Sequence, residues 1–512
     1  MAEREKWGSK LGIILAVAGS AIGLGNFLRF PVQAAKHGGG AFLIPYFIAL
    51  IFMGIPLMWI EWAVGRYGGL FGHGTAPGMF HKLWKNRFIK YFVVIGIFGP
   101  IVIFVYYTYI ESWLLGYTFF SITGRLFSIG ETSEGMKNFL TSYQGLGPDG
   151  NFLTAYIFFV ITFLANFYFV YKGIKYGIEK LCKIAMPLLF IFGIIVAARV
   201  LTLGAPLNPE WKVLDGMGFL WNPDFSVLTK ADVWLAAAGQ IFFTLSVGIG
   251  VILTYASYLS HGDDIVLSGV TASTTNELAE VILGGSIVIP AAFAFFGPQM
   301  MKEVVNSGAF NLGFVSMPMI FSQIPWGALF STLWFSLLFL AGITSSVSLI
   351  QPAVAFLKDE FSITQKKSVI ITAVVTFLLI QPVIFLLGKG VLDELDFWGG
   401  TFCLVLFATI ETILFTWIFG IDKAWDEIHH GAELKLPKFF KFVIKYITPT
   451  FLLAILIFWF VQEGLPVIMM TKVNSKILPY VLGTRISLIL FFIVLAVLVK
   501  IAHRRNIKEE EI

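Results

Sequence analysis

Apolar residues in this chain gather in long unbroken runs, separated by short charged or Pro/Gly-rich breaks. Gly12–Ile22, Ala41–Trp62, Phe92–Tyr109, Thr154–Val170, Ile184–Val200, Ile370–Leu387 and Leu482–Val499 are examples. Many runs reach the ~20 residues a helix needs to cross a hydrocarbon core. Reading the runs between their breaks gives about twelve spans. The pattern therefore predicts an all-α integral membrane protein with about twelve transmembrane helices. Its environment is the lipid bilayer.

An even number of spans puts both termini on one side. With that side inside, inner segments hold about 24 of the 36 Lys and Arg, the bias the positive-inside rule expects. Lys82, Lys85, Arg87 and Lys90, then Lys172, Lys175, Lys180 and Lys183, then Arg504, Arg505 and Lys508 carry most of it. The loop Ser260–Ile265 departs from the trend, with His261, Asp263 and Asp264 and no Lys or Arg. Two outer segments, Gly204–Lys230 and Gly297–Pro325, are long and Pro/Gly-rich. They read as ordered caps over the outer mouth, because neither has the apolar residues for a core of its own.

Composition supports this reading. Of 512 residues, 57% are hydrophobic and 13% charged, and the aromatic share is 16%. A soluble fold would have to hide all of that in one core, beyond the size single cores reach. The net charge of +5 is concentrated in loops, so it reports topology and implies no nucleic-acid partner. Cys182 and Cys403 both lie in apolar segments, so no disulfide framework is implied. No Asn-x-Ser/Thr acceptor occurs. Met1–Lys10 is short and charged, with no small-residue cleavage site after the first apolar run, and reads as a cytoplasmic tail before a retained first helix.

Two spans are weak in the middle. The first contains Gly19-Ser-Ala-Ile-Gly-Leu-Gly25 followed by Asn26, and the sixth contains Phe243-Thr-Leu-Ser-Val-Gly-Ile-Gly250. Each Gly costs ~1 kcal/mol against Ala in a helix interior. One such segment reads equally as a small-residue packing seam. Interruptions at matching places of two halves point instead to a transporter's site. Unwound backbone survives in a membrane only where it lines a cavity. There its carbonyls suit a cation, and half-helix N-termini suit an anion. The expected organisation is one transporter domain over 1–512: a first five-helix repeat at 10–203, an inverted second repeat at 231–421, and two additional helices at 437–502. Helices 1 and 6 are unwound at mid-membrane.

Polar residues within or beside the spans fit the same picture. Asn26, Thr244, Asn276, Glu277, Glu280, Thr344 and Ser345 offer the hard oxygen ligands that group-one and group-two cations prefer. For any single Ser or Thr the ordinary role is a bond to its own helix backbone. Intramembrane carboxylates are functional candidates by default, here Glu61, Glu111, Glu277, Glu280 and Glu411. For Glu61 and Glu411 a structural role, bonding neighbouring helices, is expected.

Four motifs carry a family resemblance. They are Gly23-Leu-Gly-Asn-Phe-Leu-Arg-Phe-Pro31, Gly38-Gly-Gly-Ala-Phe42, Gln240-Ile-Phe-Phe-Thr-Leu-Ser246 and Ala341-Gly-Ile-Thr-Ser-Ser346. The chain resembles the neurotransmitter:sodium symporter family over nearly its whole length. That resemblance implies the fold of the family's leucine-transporting bacterial members, with inverted five-helix repeats. It also implies symport by alternating access, two sodium ions and no organic cofactor.

By the same resemblance, one sodium sits on the Ala21 and Thr244 carbonyls with the side chains of Asn26, Thr244 and Asn276. A second uses the carbonyls of Gly19, Ile22 and Ala341 with the hydroxyls of Thr344 and Ser345. The substrate carboxylate meets N–H groups near Leu24 and Gly25 and the Tyr107 hydroxyl. Its amine meets carbonyls at Ala21, Phe243 and Thr244, and Ser246. Gly23 stands where monoamine-transporting members carry Asp, which favours an α-amino acid over a plain amine. Ile103, Phe243, Ile249 and Leu349 line the side-chain pocket, so a hydrophobic (aliphatic or aromatic) amino acid is expected. Ile249 replaces the Phe of the leucine-transporting members, which alters the pocket's shape.

Glu280 stands where chloride-dependent relatives have a neutral residue, and its own charge implies chloride independence. Arg29 and Asp396 are expected to form an outer gate above Tyr107 and Phe243. Arg4 and Asp359, with Trp7, Ser257 and Tyr258, are expected to close the inner side. A prokaryotic inner membrane is the implied location, and a homodimer is a candidate assembly. Two other classes share these features. One is a sodium-dependent amino-acid sensor that binds without transport. The other is a membrane-embedded enzyme, though no metal-binding or nucleophile motif sits on a span.

Overall fold

The computed structural model describes residues 5–86, 88–130, 132–147, 152–471 and 473–510; the backbone alone is described at 301, 302, 304, 463 and 506–510. The described chain is helical, and its one β-type contact is an isolated bridge between Gly39 and Pro223. The first span is two helices, α1 (Lys10–Ala21) and α2 (Gly25–Lys36), bent by 47°. There follow α3 (Gly40–Leu70), α4 (Ile89–Ile122), α5 (Leu153–Tyr171) and α6 (Ile174–Leu201). The next pair is α7 (Ala231–Leu245) and α8 (Val251–Ala256). Then come α9 (Ile265–Met300), α10 (Ala309–Ser322), α11 (Gly327–Phe361) and α12 (Gln365–Phe385). The last are α13 (Val391–Ile418), α14 (Phe439–Gln462) and α15 (Leu478–Arg505).

Ten of these helices are long and apolar enough to span a membrane, and the bent pair α1–α2 makes eleven. The twelfth expected span is α7 with α8. It does not form one continuous helix because residues 246–250 interrupt it.

Burial sorts the spans into a centre and a rim. In its most apolar stretch α4 is 89% buried, while α15 is only 17% buried, its remaining surface being apolar. The two long helices α4 and α11 pack along each other more extensively than any other pair. The first broken helix sits in this centre: α1 lies against α6, α9 and α11. The second lies along α3, where small residues permit very close approach. A Cβ on Gly65 would fall 2.3 Å from the Leu253 carbonyl oxygen, and one on Gly69 would fall 2.2 Å from that of Ser257. Burial of this kind leaves no space for larger side chains.

Both long Pro/Gly-rich segments carry helices. One carries the helix Val213–Trp221, and the neighbouring Pro223 makes the bridge to Gly39. The other carries α10, where Gly313 packs on Leu28 beside the first break.

Candidate functional site

Both interruptions have a local cause. After Ala21 the backbone turns extended at Ile22, with φ −75° and ψ 98°, and helix resumes only at Gly25. The freed groups find side-chain partners, as buried backbone must. Gly23 N–H donates to Asn26 Oδ1 at 2.8 Å, and Leu24 N–H points at the Tyr107 hydroxyl at 3.4 Å. In the second break Ser246, Gly248 and Gly250 all have positive φ, at 54°, 74° and 91°. Glycine adopts that region freely. Nor could a side chain fit, since a Cβ on Gly250 would sit 2.4 Å from the Gly96 carbonyl oxygen.

The breaks are joined to each other and to α11. Ser246 Oγ donates to the Ser20 carbonyl at 2.8 Å. Ser345 Oγ lies 3.3, 3.1 and 3.4 Å from the carbonyls of Gly19, Ser20 and Ile22. Thr344 stands beside Gly19, where an added Cβ would meet its Cβ at 3.2 Å, and its hydroxyl donates to the Ala341 carbonyl at 3.1 Å. All five residues expected at the second cation position therefore converge.

A second polar cluster surrounds Asn26. Asn26 Nδ2 donates to Asn276 Oδ1 at 2.8 Å, Glu280 Oε2 at 3.0 Å and Thr244 Oγ1 at 3.1 Å. Asn276 Nδ2 donates to Thr244 Oγ1 at 3.0 Å, and the Thr244 hydroxyl also donates to Glu280. Gln240 Nε2 donates to Glu280 Oε1 at 2.8 Å. Next to it the Tyr46 hydroxyl donates to Glu277 Oε2 at 2.7 Å. Asn26, Gln240, Thr244, Asn276 and Glu280 are fully buried. Sequence reading assigned no role to Gln240 or Tyr46. Gln240 begins a quoted motif, whereas Tyr46 gives no local signal.

Between the clusters is a cavity. Of the expected substrate contacts, Ala21, Gly23, Leu24, Gly25, Ile103, Tyr107, Phe243, Ser246, Ile249, Ser345 and Leu349 all line it. Thr244 alone lies behind the wall, in the polar cluster. Ser20, Ser348, Gly400 and Leu404 also line the cavity without having been foreseen. Among the described residues, no Asp, Glu, Lys or Arg lines it.

A larger cavity adjoins it, sharing Leu24, Gly25, Tyr107, Phe243, Gly400 and Leu404 with the inner one. Arg29 and Asp396 both line it, yet no ion pair within 4 Å joins them. Arg29 lies over the Phe243 ring at 4.8 Å and reaches the Gly239 carbonyl at 3.4 Å. Asp396 instead accepts from the Tyr106 hydroxyl at 2.7 Å. Tyr106 is adjacent to Tyr107 in sequence but faces the vestibule, and its role was not legible.

The opposite end is sealed by the segment before α1. Trp7 Nε1 donates to the Tyr255 carbonyl at 2.9 Å, and the two rings meet edge to face at 5.3 Å. Glu179 accepts from Gly8 N–H at 2.6 Å and Ser9 Oγ at 2.9 Å, and pairs with Lys183 at 2.6 Å. Glu5 and Lys358 pair at 3.4 Å. Tyr258 accepts from Gln351 at 3.1 Å, and Ser257 bonds the Thr254 carbonyl at 2.7 Å. Asp359 is engaged at this end. Arg4, its expected partner, lies outside the described residues.

A bundle of apolar helices in which two interrupted members face one central cavity, open at one end and sealed at the other, defines a multi-pass membrane transporter. The chain belongs to the sodium:neurotransmitter symporter family, whose model matches residues 4–130 and 136–505. It is 34% identical over 464 residues to the uncharacterized sodium-dependent transporter MJ1319 of Methanocaldococcus jannaschii, covering 88% of this chain and 90% of that protein. It is 27% identical to the sodium-dependent nutrient amino acid transporter 1 of Drosophila melanogaster, over 89% of this chain and 77% of that one. Among solved structures, MhsT in complex with L-phenylalanine matches with a TM-score of 0.76 and 31% identity, over 89% of this chain and 99% of that one. Sodium-coupled transport of a small molecule follows from the family.

Proposed function

We propose that this protein imports a hydrophobic α-amino acid together with sodium. The observation that carries the reading is the central cavity. Among the described residues none that is charged lines it; it has Gly23 where an acidic residue would greet an amine, and it places Leu24 N–H and the Tyr107 hydroxyl side by side. A substrate bound there must bring its own carboxylate. Ile103, Phe243, Ile249 and Leu349 leave only apolar surface for its side chain. The phenylalanine in MhsT and the amino acid transporter of Drosophila support the same substrate class.

In this reading two sodium ions travel with the amino acid. One binds at Ala21, Asn26, Thr244 and Asn276, where the carboxylate of the substrate completes its shell. The other binds at Gly19, Ile22, Ala341, Thr344 and Ser345. Contact between the first ion and the carboxylate makes each stabilise the other, which is the coupling free energy that symport needs. The end bearing the segment before α1 faces the cell interior, in keeping with the Lys/Arg bias.

Uptake into proteoliposomes tests the proposal. An inward sodium gradient should drive accumulation of radiolabelled phenylalanine or leucine, and collapsing the gradient should abolish it. Sodium-dependent binding without accumulation would make the protein a sensor. Better displacement by charged than by apolar amino acids would overturn the substrate class.

A further inference from the structure

The sealed end carries a second polar cleft, apart from the transport cavity. It forms where four segments meet: the loop and short helix Ala76–Leu83 after α3, the start of α4, and the ends of α11 and α15. His73, His81, Lys82, Lys90, Glu360 and His503 are its polar lining. Lys82 and Lys90 belong to a run that marks topology, and such lysines ordinarily keep their charged heads in water. Lys90 is only 5% exposed, and among the described residues no ion pair or hydrogen bond engages its ammonium group. It makes an aromatic contact with the Tyr91 ring, at 5.5 Å. A buried charge without a partner needs an explanation.

The rest of the lining shows what is missing. His73 Nδ1 and Glu360 Oε1 lie 2.7 Å apart, so the carboxylate that lines the cleft already has a partner. His81 Nδ1 is buried with no hydrogen-bond partner, and the His503 ring stands edge-on to the His81 ring at 4.7 Å. Burial, and then the nearby Lys90 charge, push His81 below its ordinary pKa. The ring is then neutral near pH 7 and can present an N–H at Nδ1. A metal ion does not fit this set. Among the described residues no group of three His, Cys, Asp or Glu is placed to hold one, and the two lysines would repel it.

We infer that the cleft is a binding site for a phosphate-type oxyanion, with Lys90 and Lys82 as charged donors and His81 Nδ1 as a neutral one. The anion supplies the counter-charge that Lys90 lacks and the acceptor that His81 lacks. Several donors on separate segments suit a ligand with several acceptor oxygens. Two sources offer that chemistry here: soluble phosphate, and the headgroup of an anionic lipid beside the lipid-exposed α15. Bound there, the anion links the α3–α4 connection to the ends of α11 and α15. Glu360 is the next residue after Asp359 of the seal.

Thermal unfolding of the purified full-length protein tests this, because a ligand that binds only the folded state raises its unfolding temperature. The readout involves no transport, so its outcome is independent of the proposed function. In one arm, lipid-depleted protein in neutral detergent is titrated with inorganic phosphate at constant ionic strength. In the other, the protein is reconstituted in phosphatidylcholine bilayers with or without phosphatidylglycerol. A saturable rise is expected in at least one arm, and the arm that responds identifies the source. Lys90→Met should require about tenfold more ligand for the same rise, and Lys90→Arg should retain most of the response. Lys85→Met, at an exposed position outside the cleft, should leave it unchanged. Should Lys90→Met fail to fold, Lys82→Met reads the same site and should weaken the response several-fold. No rise in either arm would overturn the proposal. So would a native response in both Lys90→Met and Lys82→Met, or an equal loss in Lys85→Met, which would mark diffuse surface attraction.

Discussion

The side-chain amide of Asn26 reaches the Glu280 carboxyl at 3.0 Å, so an acidic side chain stands beside the oxygens proposed to hold the first sodium. At the low effective dielectric of a buried site, a negative charge on Glu280 would offset the cost of desolvating the ion. On this reading no external anion is needed. Uptake is therefore expected to be unchanged when chloride is replaced by gluconate. Loss of uptake in gluconate would show that Glu280 does not serve as the compensating charge.

Asn26 itself bonds Asn276, Glu280, Thr244 and the Gly23 N–H. Asn26→Ser shortens the side chain and strands several of these partners. Sodium and substrate affinity should fall together, each by about tenfold or more. A scintillation binding assay across a sodium series measures both. A variant that loses substrate affinity at unchanged sodium dependence would separate the two sites.

Gly23 has little room. A Cβ there would lie 3.1 Å from both the Tyr107 hydroxyl and Ser345 Oγ. Gly23→Ala should push these hydroxyls away from the carboxylate position and weaken amino-acid binding by about tenfold. Equilibrium binding of a radiolabelled amino acid decides it, and native-like affinity would place the carboxylate elsewhere.

In the wider cavity, Tyr106 holds Asp396 while Arg29 rests on Phe243. Tyr106→Phe removes that competing donor and should favour the approach of Arg29 to Asp396. Bound substrate should then dissociate more slowly, by a few-fold for one hydrogen bond to a charged group. Dissociation kinetics after isotopic dilution read this directly. Faster release would mean that Tyr106 supports closure.

At the sealed end, Trp7→Ala deletes an indole–carbonyl bond and an aromatic contact with Tyr255. The population should move toward the state open at that end, by about tenfold for a loss of this size. Single-molecule fluorescence between labels at the two ends would detect it. An unshifted distribution would assign the seal to Glu179 and its partners at Gly8 and Ser9.

Much of this was legible along the chain because the signals are local. Apolar runs of membrane length mark the spans, and Gly23, Gly25, Gly248 and Gly250 mark the places where helix gives way. The motifs around Asn26, Thr244 and Ser345 identified the family, and the structure brings those residues together from three separate helices. Tyr106, Gln240, Tyr46 and Glu179 were silent for the opposite reason. Each gains its partner from a helix distant in sequence, and no spacing rule encodes which rotation of that helix faces it.

The sequence by itself determined that the chain is a bundle of membrane-length helices with two weak points, because hydrophobic length and glycine content are properties of single segments. Only the tertiary structure decided what the weak points face. It set the 47° bend between α1 and α2, the separation of Arg29 from Asp396 in the wider cavity, and the bond from Gly248 N–H to Glu61. Those depend on how buried polar groups from distant helices satisfy one another, which packing resolves only when all the helices are in place.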